Sequence, residues 1–237
     1  MTDRAKYVCA SLPHGSSPFL CRVHSVFDHA VNLTHDDTMI PVLPCTSDAV
    51  VGGITLQGNT LPAVIKGQTI DIAPLLQGER INNTLHPEEY VQYQKAEILH
   101  STPSVFGGGD PLSPVILEKV HTFIKDPCAE NIQNILGLGI GLTPSCDDFL
   151  VGWMAVCRIL GKEPPPIDEK DLSCTTAVSR HYLLHGINGR FSPTVRRCAA
   201  AMIGREDPAV YQQMIGFGHT SGADTLWGMQ MCMENLK

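Results

Sequence analysis

Charge is scarce in this chain. Only 17% of its 237 residues are Asp, Glu, Lys or Arg, against roughly 25% in an average soluble domain. Seventeen Lys and Arg oppose 24 Asp and Glu for a net charge of −7, and the longest basic run is Arg196-Arg197. Two adjacent arginines cannot neutralise a phosphate backbone, so nucleic acid is not an expected partner. No apolar run approaches the length of a membrane span, and no membrane association is expected. The opening residues, MTDRAKYVCASLPHG, lack the continuous apolar stretch of a secretory signal, which points to the cytoplasm. Nine cysteines, an odd number with no CxxC spacing, exclude a disulfide framework and a zinc ribbon. They are expected as small buried apolar side chains in a reducing compartment. A P-loop is also missing, so ATP-driven chemistry has no support. A surface this poor in charge is expected to be covered in part, by a second copy in a homo-oligomer or by partner subunits.

The apolar residues reach 43%, enough for a folded core. The fold class expected is α+β: a β-rich N-terminal barrel or sandwich-like part, then an all-helical C-terminal part. In residues 1–85, Phe19, Cys21 and Val23 alternate with Leu20, Arg22 and His24, the period of a strand. Apolar runs follow at Met39–Leu43, Val50–Leu56 and Leu61–Ile72, punctuated by glycines. Residues 86–112 read as a helix from Pro87-Glu88-Glu89 and a glycine-rich linker around Gly107-Gly108-Gly109. Residues 113–237 read as helical. Starts are expected at Ser113, near Asn131, at Thr143, near Asp168, and at Pro193, Pro208 and Ser221.

One pattern occurs twice. Gly139-Ile-Gly141-Leu-Thr143-Pro-Ser145-Cys-Asp-Asp148 continues to Gly152, and Gly216-Phe-Gly218-His-Thr220-Ser-Gly222-Ala-Asp224 continues to Gly228. Both place a G-x-G-x-T segment where an irregular stretch becomes a helix, with Thr143 and Thr220 as expected N-caps. Free N–H groups and the positive end of the dipole favour an anion at such a junction. Gly139, Gly141, Thr143 and Ser145, with Gly218, Thr220, Ser221 and Gly222, are therefore candidates for binding a phosphate or carboxylate. Capping alone would select the same residue types. Asp147, Asp148 and Asp224 would repel an anion beside them. They suit dipole partners, acceptors for a substrate N–H, or ligands of a bridging cation such as Mg²⁺; no cofactor motif is evident.

GLGIGLTPSCDDFLVG and GFGHTSGADTLWGM resemble the two signature segments of the DUF2877 family, and Ser173–Ser192 is similar to the segment between them. The family's type member is the third subunit of oxamate carbamoyltransferase. The resemblance implies a transferase working with two further subunits in anaerobic allantoin, and so purine, breakdown. It would convert oxalurate and phosphate into oxamate and carbamoyl phosphate. Cys146 stands where that pattern has glycine, a departure that could narrow the site or alter the turn.

Within this reading Asp148, Asp224 and His219 are the candidate catalytic residues. His219 could donate to a developing oxyanion or shuttle a proton, or simply stabilise its loop. Asn188-Gly189-Arg190 could bring a guanidinium to an anionic substrate. His181 and His185 lie four apart on an expected helix and read as a packed pair, not as metal ligands. A scaffold or regulatory subunit that binds an anion without chemistry is the competing reading.

Overall fold

The computed structural model describes residues 4–15, 17–45, 48–96 and 112–236; the glycine-rich segment at 106–111 lies outside them. The chain divides into two compact units, Met1–Thr84 and Leu85–Lys237. Among the described residues no helix is long and apolar enough to cross a membrane.

The first unit carries β1 (Ala5–Cys9), β2 (Leu20–Phe27), β3 (Ala30–His35), β4 (Thr38–Leu43), β5 (Ile54–Leu56), β6 (Thr69–Asp71) and β7 (Glu79–Ile81). They form one mixed seven-stranded sheet in the order β6-β2-β3-β4-β5-β1-β7. It is an open sheet, not the closed barrel or sandwich that the short strands suggested. Two of its pairs, β4 with β5 and β1 with β7, are parallel, which an up-and-down barrel does not allow. Strand β3 escaped the apolar pattern because its turn is unusual. Asp36 and Asp37 both take positive φ, 44° and 61°, and join β3 to β4 in a tight hairpin that Asn-Gly would normally mark. Val8, Val31, Leu33, Val42, Ile54 and Leu56 form the unit's dry core.

The second unit is helical from residue 113: α1 (Ser113–Lys125), α2 (Ala129–Gln133), α3 (Ser145–Ile159), α4 (Ala177–Ile187), α5 (Pro193–Met202), α6 (Val210–Ile215) and α7 (Ser221–Asn235). The single helix expected from Asp168 is split. Residues Asp171–Cys174 form a 3-10 turn, and α4 starts afresh where the Thr176 hydroxyl accepts from the Ser179 N–H at 3.0 Å. The helix expected from Pro87 does not form in the described residues 87–96. That stretch is irregular, and the ends of two helices use its N–H groups. Glu88 donates to the Ile159 carbonyl at 2.8 Å, and Val91 to the Ile203 carbonyl at 3.0 Å, satisfying orphan acceptors at the ends of α3 and α5.

At the centre, α3 and α7 lie side by side in the same direction. Their starts meet through Thr143 and Ser221, and Cys157 meets Cys232 near their ends. Glycines set how closely they approach. A Cβ on Gly152 would stand 2.0 Å from the Thr225 carbonyl oxygen, and one on Gly228 would stand 2.0 Å from that of Phe149. The repeated D-x-L-x-G ending is thus a reciprocal helix contact. Phe123, Phe149 and Trp153 pack edge-on around it.

Candidate functional site

Both G-x-G-x-T segments hand over to a helix, and local backbone conformation explains the glycines. Gly139, Gly141 and Gly218 take φ of 122°, 96° and 65°, a region that disfavours any Cβ. A Cβ on Gly139 would also sit 2.4 Å from the Ser145 nitrogen, and one on Gly222 would sit 1.7 Å from the Met214 carbonyl oxygen. A Cβ on Gly141 would lie 3.9 Å from the Thr143 carbonyl oxygen, and one on Gly218 would lie 3.5 Å from the Ser221 hydroxyl oxygen.

Capping differs from the sequence expectation. Thr143 is not an N-cap: extended Pro144 takes that place at the start of α3. Thr220 is the N-cap of α7, yet its hydroxyl caps nothing. The Thr143 hydroxyl serves the contact between the junctions instead. Thr143 Oγ1 and Ser221 Oγ are 2.7 Å apart, which brings the two helix starts together. Thr176 adds a hydrogen bond from its hydroxyl to the Leu142 carbonyl. Part of the backbone donor supply is consumed internally. The Cys146 N–H donates to the Leu138 carbonyl at 3.0 Å, and the equivalent Gly222 N–H donates to the Phe217 carbonyl at 3.1 Å.

The three aspartates separate into different tasks. Asp147 is a clamp. Its Oδ1 accepts from the Gly137 N–H at 2.8 Å, and its Oδ2 accepts from the Ser179 hydroxyl at 2.6 Å and from the Thr175 hydroxyl. Burial pushes its carboxyl up, and these three donors pull it back. Asp148 faces the other way. Burial holds its carboxyl well above the usual range, the Ser221 and Thr143 hydroxyls draw it down, and negative Asp224 and Asp147 raise it again. Its Oδ2 is enclosed without a hydrogen-bond partner. Asp224 is buried on the matching turn of α7. From α4, the half-buried Tyr182 joins this group: burial and then Asp148 push its phenol up to about 12. Tyr182 carries no recognisable sequence signal, because it sits in no motif and only the docking of α4 on α3 brings it here.

Ser145 is wholly buried, with its hydroxyl unpartnered, at the first position of α3. The remaining candidates do not join the cluster. His219 is exposed at the tip of the second loop. Asn188 turns its amide onto the Leu184 carbonyl at 2.7 Å, behind α4. Arg190 lies past the end of α4, its main-chain N–H on the His185 carbonyl at 2.9 Å. Cys146, where glycine was expected, is fully buried in the core at the second position of α3. Among the described residues no set of three His, Cys, Asp or Glu side chains is spaced to hold a metal ion.

His181 and His185 meet edge to face, 4.5 Å between ring centroids. Burial, then His181 and Arg190, lower His185 to about 3 from 6.5. Its ring is therefore expected to stay neutral from pH 8 down to 4 in a heteronuclear NMR titration. Because the folded state resists the proton that the unfolded chain accepts, stability at this group is full above pH 6.5 and is lost as pH falls toward 3. A ring that titrates near 6.5 would show that α4 does not seal it.

Residues 135–233 match the family described as oxamate carbamoyltransferase subunit AllH. This span, which holds both junctions, α3, α4 and most of α7, resembles that subunit of the enzyme complex. No solved structure matches the chain.

Proposed function

We propose that the chain is one subunit of a cytoplasmic carbamoyltransferase that acts with two further subunits on oxalurate and phosphate in anaerobic allantoin breakdown. The carrying observation is the meeting of the two helix starts, Thr143 Oγ1 against Ser221 Oγ at 2.7 Å, directly over the buried Asp148 and Asp224. Both junctions fall inside the matched span. A small anion, phosphate or the oxamate carboxylate, would bind between the loops. The hydroxyls of Thr143, Ser145, Thr220 and Ser221 and the N–H groups beside Gly139, Gly141, Gly218 and Gly222 would hold it, with fixed dipoles stabilising its charge. A proton kept on Asp148 removes the repulsion that a carboxylate there would exert.

The chemistry needs that proton. A phosphate oxygen attacks the carbamoyl carbon of oxalurate, the bond from that carbon to the oxamate nitrogen breaks, and the departing nitrogen must be protonated. Asp148 would supply the proton, with burial and then the negative Asp224 and Asp147 keeping its affinity for it high. Arg190, Asn188 and His219 would act only if a partner subunit or closure of the loops brought them in. The internal use of the Cys146 and Gly222 N–H groups favours the second reading, a subunit that binds an anion without chemistry.

Mixing the chain with companion subunits and following carbamoyl phosphate from oxalurate and phosphate separates the two. Turnover that requires this chain and its Asp148 supports catalysis; turnover indifferent to Asp148 supports the scaffold. In calorimetry with inorganic phosphate, Gly218→Val is expected to weaken binding about tenfold, the worth of one or two hydrogen bonds. Its side chain would occupy the space facing Ser221. Undiminished affinity in a folded variant would remove the second loop from the site.

A further inference from the structure

A buried thiol pair lies outside the site described above. Cys157 in the last turn of α3 and Cys232 in the last turn of α7 hold their Sγ atoms 3.7 Å apart, and both are free thiols. The proximity follows from packing. Gly152 and Gly228 bring the two backbones into contact, and the parallel course keeps the helices neighbours one turn further on. The two sulfurs are therefore in van der Waals contact, and side-chain rotation must close the 3.7 Å separation to a bond of about 2.05 Å.

We propose that Cys157 and Cys232 form a peroxide-oxidisable dithiol, a covalent latch between α3 and α7. The sulfur of Cys157 attacks one oxygen of hydrogen peroxide and the O–O bond breaks. Cys157 becomes a sulfenic acid, and the released hydroxide leaves as water with the Cys157 proton. The sulfur of Cys232 then attacks the sulfenic sulfur, and the S–O bond breaks. The second hydroxide leaves as water with the Cys232 proton. Two thiols and one peroxide give one disulfide and two waters.

The two thiols are suited to different roles. The Cys232 S–H hydrogen bond lowers Cys157, with help from Lys162 and Arg158, while burial and that same bond raise Cys232. Cys157 is thus the attacking thiol and Cys232 the resolving one. Both thiols are buried, so the oxidant reaches them through local opening of the last turns of α3 and α7. The bond would close a loop between residues 75 apart in the chain, so it should act mainly on the unfolded state.

The test treats the purified full chain with hydrogen peroxide, alkylates the remaining thiols and maps the peptides by mass spectrometry. Exposed Cys174 reports that the oxidant has reacted. The expected result is a Cys157–Cys232 peptide, reversed by dithiothreitol, and a melting temperature raised on the order of 5 °C. Cys232→Ser should abolish both and leave Cys157 as a sulfenic acid that dimedone traps; Cys157→Ser should abolish both with no trapping at Cys232. Two thiols still reduced after Cys174 is consumed would overturn the proposal. So would a cross-linked protein that melts no higher than the reduced one.

Discussion

Gly152→Ala is expected to cost about 3 kcal/mol or more and to lower the melting temperature by about 10 °C. Helix propensity alone predicts the opposite sign, since alanine in a helix interior is favoured over glycine by about 1 kcal/mol. Packing decides. The added methyl would lie 2.0 Å from the Thr225 carbonyl oxygen and 3.0 Å from the Met229 nitrogen, both backbone atoms that no rotamer change can move. Relief requires α3 and α7 to separate, which would part Thr143 from Ser221 and uncover Phe149. Gly228→Ala, against the Phe149 carbonyl, should behave alike. The double variant should lose less than the sum of the two, because one separation relieves both clashes. Urea denaturation of the three variants measures this. A Gly152→Ala protein as stable as the parent would mean that the helices have slack, and the shared site would lose its anchor.

Asp148→Asn is expected to lower turnover of the reconstituted complex by about 100-fold or more while leaving the protein at least as stable. The asparagine keeps an oxygen for the Thr143 and Ser221 hydroxyls and removes the ionisable proton. The stability comparison has a definite sign. The Asp148 carboxyl is raised in the folded state above 3.8, so folding favours its protonated form. Its contribution is full below about pH 3.8 and is lost as pH climbs toward the folded value. The variant carries no such loss, so its advantage over the parent should widen from acid to neutral pH. Asp147→Asn should instead destabilise the protein across that pH range, although its carboxyl too is raised in the folded state. Its carboxylate accepts from Gly137, Thr175 and Ser179, and an amide can accept at only one of its two ends. Parallel melts of both variants across pH distinguish the clamp from the acid; equal curves would show that the two aspartates share one task.

Several elements were legible because their causes are local. Pro193 behind Ser192 marks a helix start, and Ser192 caps α5 through the Val195 N–H at 3.3 Å. Paired glycines before Thr143 and Thr220 announce backbone that only glycine adopts readily; the φ of Gly139, Gly141 and Gly218 agrees, whereas Gly216 is helical at −72°. Other elements were hidden for equally physical reasons. Strands β1, β3 and β7 are short or end in a two-aspartate turn, so their pattern is weak until neighbours pair with them. Pro87-Glu88-Glu89 has the composition of a helix start but forms no helix, because helix ends distant in sequence take up N–H groups of this stretch.

The sequence by itself determined the change from strands to helices, the positions of both loop–helix junctions and the residue types they carry. Those follow from φ preferences, capping and hydrophobic period, each of which acts over a few neighbouring residues. Only the tertiary structure decided that the strands form one open sheet and that α3 and α7 run parallel at glycine contact. It also decided that two adjacent aspartates diverge. Asp147 and Asp148 have the same chemistry and nearly the same local sequence, yet one turns toward Gly137 and Ser179 and the other toward Ser221 and Asp224. A carboxyl's proton affinity depends on the burial and partners that distant segments bring to it, and those exist only once the helices have docked.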